Sequence, residues 1–255
     1  MSLTARCLTH SAALLAALLL PAEAFGDALP AVVAVYPSGL VLPERVLRLS
    51  ILFAAAPGAS GVDAIRLRLA NGAEVEGALL SDRLWSPDRR MLTLLFDPGR
   101  VKSGLLAHDA YGAPLSVGQS VVLFVEGQRA HEWRVASGGC VRPNPANWRV
   151  NAPAAATLDP LHISLGGAID YQSIAGIAVA DEGGERLEGA AALSEGEASW
   201  SFAPSRPWRS GAYQIVVHPR LENPCGDEIG EGFEHPLGQG LGSNRIPSTL
   251  RFAVE

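Results

Sequence analysis

The order of apolar and polar side chains along the chain is that of many short strands. Val46, Leu47, Leu49, Ile51 and Phe53 alternate largely with Arg48, Ser50 and Leu52, the period of two that turns one face of a strand toward a core. Ile65-Arg66-Leu67-Arg68-Leu69 alternates more cleanly and runs straight into Asn71-Gly72 and then Val75. Asn and Gly both tolerate positive φ, so this segment predicts a hairpin closed by a tight type I′ turn. Further strands are expected at residues 92–96 and 120–125, with 133–135 finishing the set. The second half repeats the scheme at residues 161–165, 174–179, 187–191, 199–202 and 213–217, with a turn at 181–184. The Ala-rich stretch at 152–156 gives no more than a turn of helix, because Pro153 and Pro160 bracket it.

The repetition reaches individual residues. Trp200, Phe202, Pro204, Pro207, Gly211, Ile215 and Val217 answer Leu94, Phe96, Pro98, Pro114, Gly118, Val122 and Phe124. Self-similarity across roughly a hundred residues means two copies of one module, each long enough for its own core. Short strands punctuated by Pro and Gly predict an all-β protein of antiparallel sandwiches. The domains are placed at residues 30–136 and 146–255. Between them, residues 137–145 read as a linker, because Ser-Gly-Gly-Cys-Val-Arg-Pro-Asn-Pro has no periodicity.

Composition and charge add an address. Arg6, the apolar run 12–20, Pro21 and the frame Ala22-Glu23-Ala24 have the layout of an export signal peptide cut after Ala24. The apolar run is shorter than the ~20 residues of a spanning helix, so no transmembrane segment is expected and the protein is placed as exported, periplasmic or extracellular. Loss of residues 1–24 removes Arg6 and Glu23 together and keeps the net charge at −6. An acidic chain without a Lys/Arg block has no electrostatic footprint for nucleic acid. Cys7 leaves with the peptide, so Cys140 and Cys225 remain and are expected to pair in an oxidising compartment, the alternative being two separate thiols.

Leu92-Thr93-Leu94-Leu95-Phe96-Asp97-Pro98-Gly99-Arg100-Val101-Lys102-Ser103-Gly104-Leu105 with Pro114-Leu115 and Gly118, and Trp200-Ser201-Phe202 with Pro207-Trp208-Arg209-Ser210-Gly211-Ala212-Tyr213, resemble uncharacterised exported bacterial proteins with tandem Ig-like domains. Their modules are similar to the bacterial Ig-like modules of surface-layer proteins. The resemblance implies two tandem antiparallel Ig-like β-sandwich domains and carries no assigned reaction. Related modules close with a Leu-Glu-Asp segment and an Ala-Gly-Asn turn, where this chain has Leu221-Glu222-Asn223-Pro224-Cys225-Gly226-Asp227. A Cys140–Cys225 bridge would therefore tie the linker onto the second module and restrict the hinge.

Candidate chemistry is sparse. Asp97, Arg100, Lys102, His108 and Asp109 lie in the longest departure of module one from module two and form a candidate binding loop, against the alternative of ordinary Asp-Pro-Gly turn chemistry. Glu222, Asn223, Asp227 and Glu228 could offer oxygens to Ca²⁺, but the Asp-x-Asp-x-Asp-Gly spacing is missing and a solvated acidic loop explains them as well. The histidines have no zinc spacing, no Gly-x-Ser-x-Gly elbow occurs, and residues 238–242 lack the strand and helix of a phosphate cradle. No catalytic residue, metal ligand or cofactor is assigned. Trp200 is expected in the core and Trp208, at a strand entrance, partly exposed. The expectation is a non-enzymatic exported envelope protein, a spacer or protein-binding Ig-like module. The alternative is a glycan- or calcium-binding module acting through loops around Asp97, Asp227 and Trp208.

Overall fold

The computed structural model describes residues 29–58, 62–229 and 249–255. The expected export signal, His235 and the glycines at 238–242 lie outside the described residues. The first module contains β1 (Val32–Tyr36), β2 (Val41–Pro43), β3 (Arg48–Phe53), β4 (Ile65–Leu69), β5 (Leu79–Trp85), β6 (Met91–Phe96), β7 (Ser120–Val125) and β8 (Gln128–Ala136). One sheet runs β1-β3-β6-β5 and the other β2-β8-β7-β4. Every pairing is antiparallel except the short β2–β8 contact.

The second module contains β9 (Arg149–Asn151), β10 (Leu161–Ser164), β11 (Ile177–Asp181), β12 (Gly189–Ser194), β13 (Ser199–Pro204), β14 (Gly211–Val217) and β15 (Thr249–Val254). Its sheets run β9-β10-β13-β12 and β11-β14-β15. First, second, fifth and fourth strands in one sheet, with third, sixth and seventh in the other, is the Ig-like sandwich of the constant type. The cores are separate. Leu49, Ile51, Phe53, Leu92, Leu94, Phe96, Leu123 and Trp133 fill the first, and Leu161, Ile163, Val179, Trp200, Ile215 and Val217 the second.

The ladders define the repeat and correct the alignment read from sequence. Ile65 pairs with Val125 and Ile177 with Val217, so Val121, Leu123 and Val125 correspond to Tyr213, Ile215 and Val217. Matching Val122 and Phe124 to Ile215 and Val217 is one residue out, and a one-residue slip reverses the face of a strand. Phe124 accordingly lies outside, under the guanidinium of Arg68 at 5.4 Å.

Both modules carry the same small hairpin, after β4 in the first and after β11 in the second. Leu69 N–H donates to Ala73 O at 2.8 Å and Gly72 N–H to Leu69 O at 2.9 Å, and Asp181 and Gly184 make the same bonds to Glu185 and Asp181 at 3.0 and 3.1 Å. Gly72 at φ 86° and Gly184 at φ 85° take the left-handed conformation, whereas Asn71 does not. The turn is thus a three-residue loop closed by a left-handed glycine, and the expected type I′ geometry is corrected. Two further expectations shift. Residues 171–176 form 3₁₀ turns ahead of β11, since the Asp170 carboxylate caps Gln172 N–H at 2.9 Å. The strand expected at 187–191 runs instead from Gly189 to Ser194.

Tyr213 ends its buried side chain on the backbone four residues upstream. Its hydroxyl donates to Arg209 O at 3.0 Å and accepts from Arg209 N–H at 3.2 Å, the tyrosine corner of Ig-like sandwiches. Tyr213→Phe keeps the packing and deprives two backbone groups of a partner. A loss of about 1 to 2 kcal/mol is expected, read as a lower denaturation midpoint with an unchanged slope.

The interdomain seam as candidate functional site

Ser50 and Thr93 sit opposite each other on β3 and β6, on the face turned away from the first core, yet both are buried. What covers them is the second module. Gln172 Nε2 donates to Thr93 Oγ1 and lies 3.5 Å from Ser50 Oγ, while the Tyr36 and Tyr171 rings stack with centroids 3.7 Å apart. The loop end of the second sandwich therefore rests on the outer face of the first sandwich's β1-β3-β6-β5 sheet. Alternation along β3 marks Ser50 as outward, and only the neighbouring module makes it interior.

Three carboxylates enter this seam. Arg48 Nη2 reaches Glu222 Oε1 at 2.8 Å and its Nε lies 3.5 Å from Asp170 Oδ2. Glu197 accepts from Ser38 N–H at 3.2 and 3.1 Å and from Ser38 Oγ–H at 2.5 Å. A main-chain bond from Leu47 N–H to Pro224 O at 3.0 Å joins the modules directly. Burial pushes all three carboxyls above their ordinary range. Arg48 opposes this at Asp170 and Glu222, the Ser38 hydrogen bonds oppose it at Glu197, and Asp170 in turn raises both Glu197 and Glu222. The cavity among Tyr36, Arg48, Asp170 and Glu197 is about 10 Å³, room for about one water.

Cys140 and Cys225 form a disulfide with Cα atoms 5.8 Å apart. It fastens the 137–144 segment to the loop after β14, whose organiser is the fully buried Asn223. The Asn223 carbonyl accepts from Cys225 and Asp227 N–H at 3.0 Å each, and its amide donates to Val141 O at 3.2 Å and Asp227 Oδ2 at 3.1 Å. Of the oxygens weighed for Ca²⁺, those of Asn223 and Asp227 are engaged in this way and Glu222 is on Arg48. Gly167 makes room for the linker, since a Cβ there would stand 2.6 Å from Val141 Cβ.

The loop around Asp97 folds into two short helices, α1 (Pro98–Val101) and α2 (Leu106–Tyr111). Asp97 caps α1 by accepting from Gly99 N–H at 2.8 Å. Arg100 donates to the carbonyls of Glu76, Gly77 and Gly112 at 3.1, 2.7 and 3.2 Å, and His108 Nδ1 meets Arg100 O at 2.7 Å. Asp97 and His108 thus hydrogen-bond to the loop's own backbone, and Arg100 ties the loop to the backbone of the β4–β5 connection. Asp109 lies in the first turn of α2 and Lys102 caps the end of α1. The helix α2 buries none of its residues and leaves Leu106 90% and Tyr111 76% exposed. Trp208 is 3% exposed, not partly exposed as expected, because its indole N–H donates to Asp159 O at 2.8 Å and its ring packs edge-on against Tyr213. It offers no face for a sugar ring.

No protein-family model and no curated protein matches the chain. Among solved structures, the tandem Ig repeats of Dlar are 12% identical over 74% of this chain and 88% of that one, with a TM-score of 0.24. Domains 5-6 of the S-layer protein SbsC are 10% identical over 89% of this chain and 97% of that one, with a TM-score of 0.26. SGBP-B from a complex xyloglucan utilization locus in Bacteroides uniformis is 14% identical over 74% of this chain and 46% of that one, with a TM-score of 0.27. These likenesses concern the fold alone.

Removing Arg48 leaves Asp170 and Glu222 buried without their counter-charge. Arg48→Ala is expected to cost about 2 to 3 kcal/mol in urea unfolding, less than a fully buried pair because the Arg48 side chain stays 21% exposed. The pH dependence has a definite sign. A carboxyl whose folded pKa is raised favours the folded state when protonated, so Glu197 contributes fully below its ordinary value of 4.5 and that contribution is lost as pH rises through the folded value. The stability difference between wild type and Glu197→Gln should therefore shift against wild type as pH rises from 4 toward neutrality. A pH-independent difference would contradict the assignment.

Proposed function

We propose that this protein is a non-enzymatic exported module that works by presenting surface at a fixed angle between two Ig-like sandwiches, as a spacer or protein-binding unit of the cell envelope. The observation that carries this reading is the locked seam, in which Arg48, Glu197, the Leu47–Pro224 main-chain bond and the disulfide converge. A flexible tether has no use for a buried ion pair, which costs desolvation and returns a defined arrangement. Two of the three perturbed carboxyls, Asp170 and Glu197, line a cavity of about 10 Å³, too small for a substrate, which supports a structural use of their charges. Glu222 borders a separate cleft of about 410 Å³ beside Arg48, His218 and Arg220. The disulfide supports an oxidising compartment.

Residual dipolar couplings measured on the two sandwiches test the reading. One alignment tensor is expected to fit both, and the two should diverge when Arg48→Ala is combined with Cys140→Ser and Cys225→Ser. Separate tensors in the unaltered protein would remove the basis for a rigid spacer.

A further inference from the structure

Sheet edges present unpaired backbone groups, and among the described residues every edge but one is guarded. In the first module β1 and β5 carry register shifts, β5 also carries Asp82 and Arg83, and β2 is short and ends in Pro43. The outer side of β4 turns Arg66 and Arg68 to solvent and is bridged by Glu74, just as β11 is bridged by Arg186. The strand β9 has three residues including Arg149, and β15 carries Arg251. The remaining edge is β12, Gly-Ala-Ala-Ala-Leu-Ser, six residues with no charge, no proline and an unbroken register against β13.

Its free groups can be named. Ser205 N–H donates to Glu188 O at 2.9 Å, in step with the Gly189–Pro204 pairing. In an antiparallel ladder bonded residues alternate, so Ala190, Ala192 and Ser194 bond to β13 while Gly189, Ala191 and Leu193 direct their N–H and C=O outward. Among the described residues no backbone hydrogen bond meets these groups. Gly189 has no room for a side chain, since a Cβ there would stand 2.4 Å from Ala203 O and 2.5 Å from the Phe202 ring.

We infer that β12 pairs with β12 of a second copy, antiparallel about a two-fold axis at Ala191, to give a continuous sheet β9-β10-β13-β12 across both copies. In that register Ala191 faces its own counterpart, Gly189 faces Leu193 and Ala190 faces Ala192. Every outward N–H and C=O then meets a partner. Glycine opposite leucine and alanine opposite alanine leave no clash. Glu188 falls opposite Ser194 and Glu195 opposite Leu187, so no like charges stand face to face. A second copy satisfies the edge without requiring any other sequence.

Sedimentation velocity of the disulfide-bonded protein from about 1 µM to about 1 mM tests this. The unaltered protein is expected to shift from monomer to dimer across the range. The variant combining Ala190→Lys with Ala192→Lys sets lysine opposite lysine and should remain monomeric. The variant combining Ala190→Lys with Ala192→Glu sets lysine opposite glutamate and should regain the dimer. Both substitutions lie on the solvent side of the strand, and circular dichroism melts check that each variant folds like the parent. An unaltered protein that stays monomeric throughout overturns the inference. So does a double-lysine variant that dimerises as the parent does, or a lysine–glutamate variant that fails to recover.

Discussion

The structure depends on Arg48 being held between Asp170 and Glu222. Arg48 opens β3, one residue before the run that enters the first core, and its outward side chain becomes the anchor for the other half of the molecule. Around that contact the remaining seam is polar: Glu197 on Ser38, Gln172 over Ser50 and Thr93, and two tyrosine rings face to face. An apolar contact could slide, but directional bonds and a desolvated charge have one good arrangement. The two cores stay separate, each closed by its own sheets, and the seam sets their mutual orientation.

Much of the architecture was legible because it is periodic. Leu49, Ile51 and Phe53 alternate into the core, Ile65 to Leu69 does the same, and a proline or glycine stands within a few residues of most strand ends. The short edge strands β2 and β9 were not legible, since three residues carry no period. Nor was β15, whose Leu250, Phe252 and Val254 alternate but were not read as a strand. Asn71-Gly72 marked the right place for a hairpin with the wrong geometry, because the loop length that selects turn type depends on where the return strand pairs. The slip between Phe124 and Val217 has a similar origin: both faces of β7 carry apolar residues, so hydrophobicity alone leaves the register open.

The site was less legible than the fold. Sequence reasoning drew attention to Asp97, Arg100 and His108 as charges in a long loop, and in the structure they hydrogen-bond to backbone groups of that loop and, through Arg100, of the β4–β5 connection. It passed over Arg48, Asp170 and Glu197, which look in sequence like ordinary solvent-facing members of strands and turns. One signal was available. Asp170 stands three residues before Ser173 with apolar residues around it, the setting of a capping residue in a buried turn. What covers it from the other module lies more than a hundred residues away in sequence, and no local pattern reports such a contact.

The position of the disulfide has a mechanical corollary. Cys140 and Cys225 enclose 85 residues of separation, and β9 through β14 all lie inside that span. A pull applied along the chain would pass through the sulfur bridge and bypass those strands. Under tension the first sandwich and β15 would bear the load, while most of the second sandwich could not lengthen until the bridge was reduced.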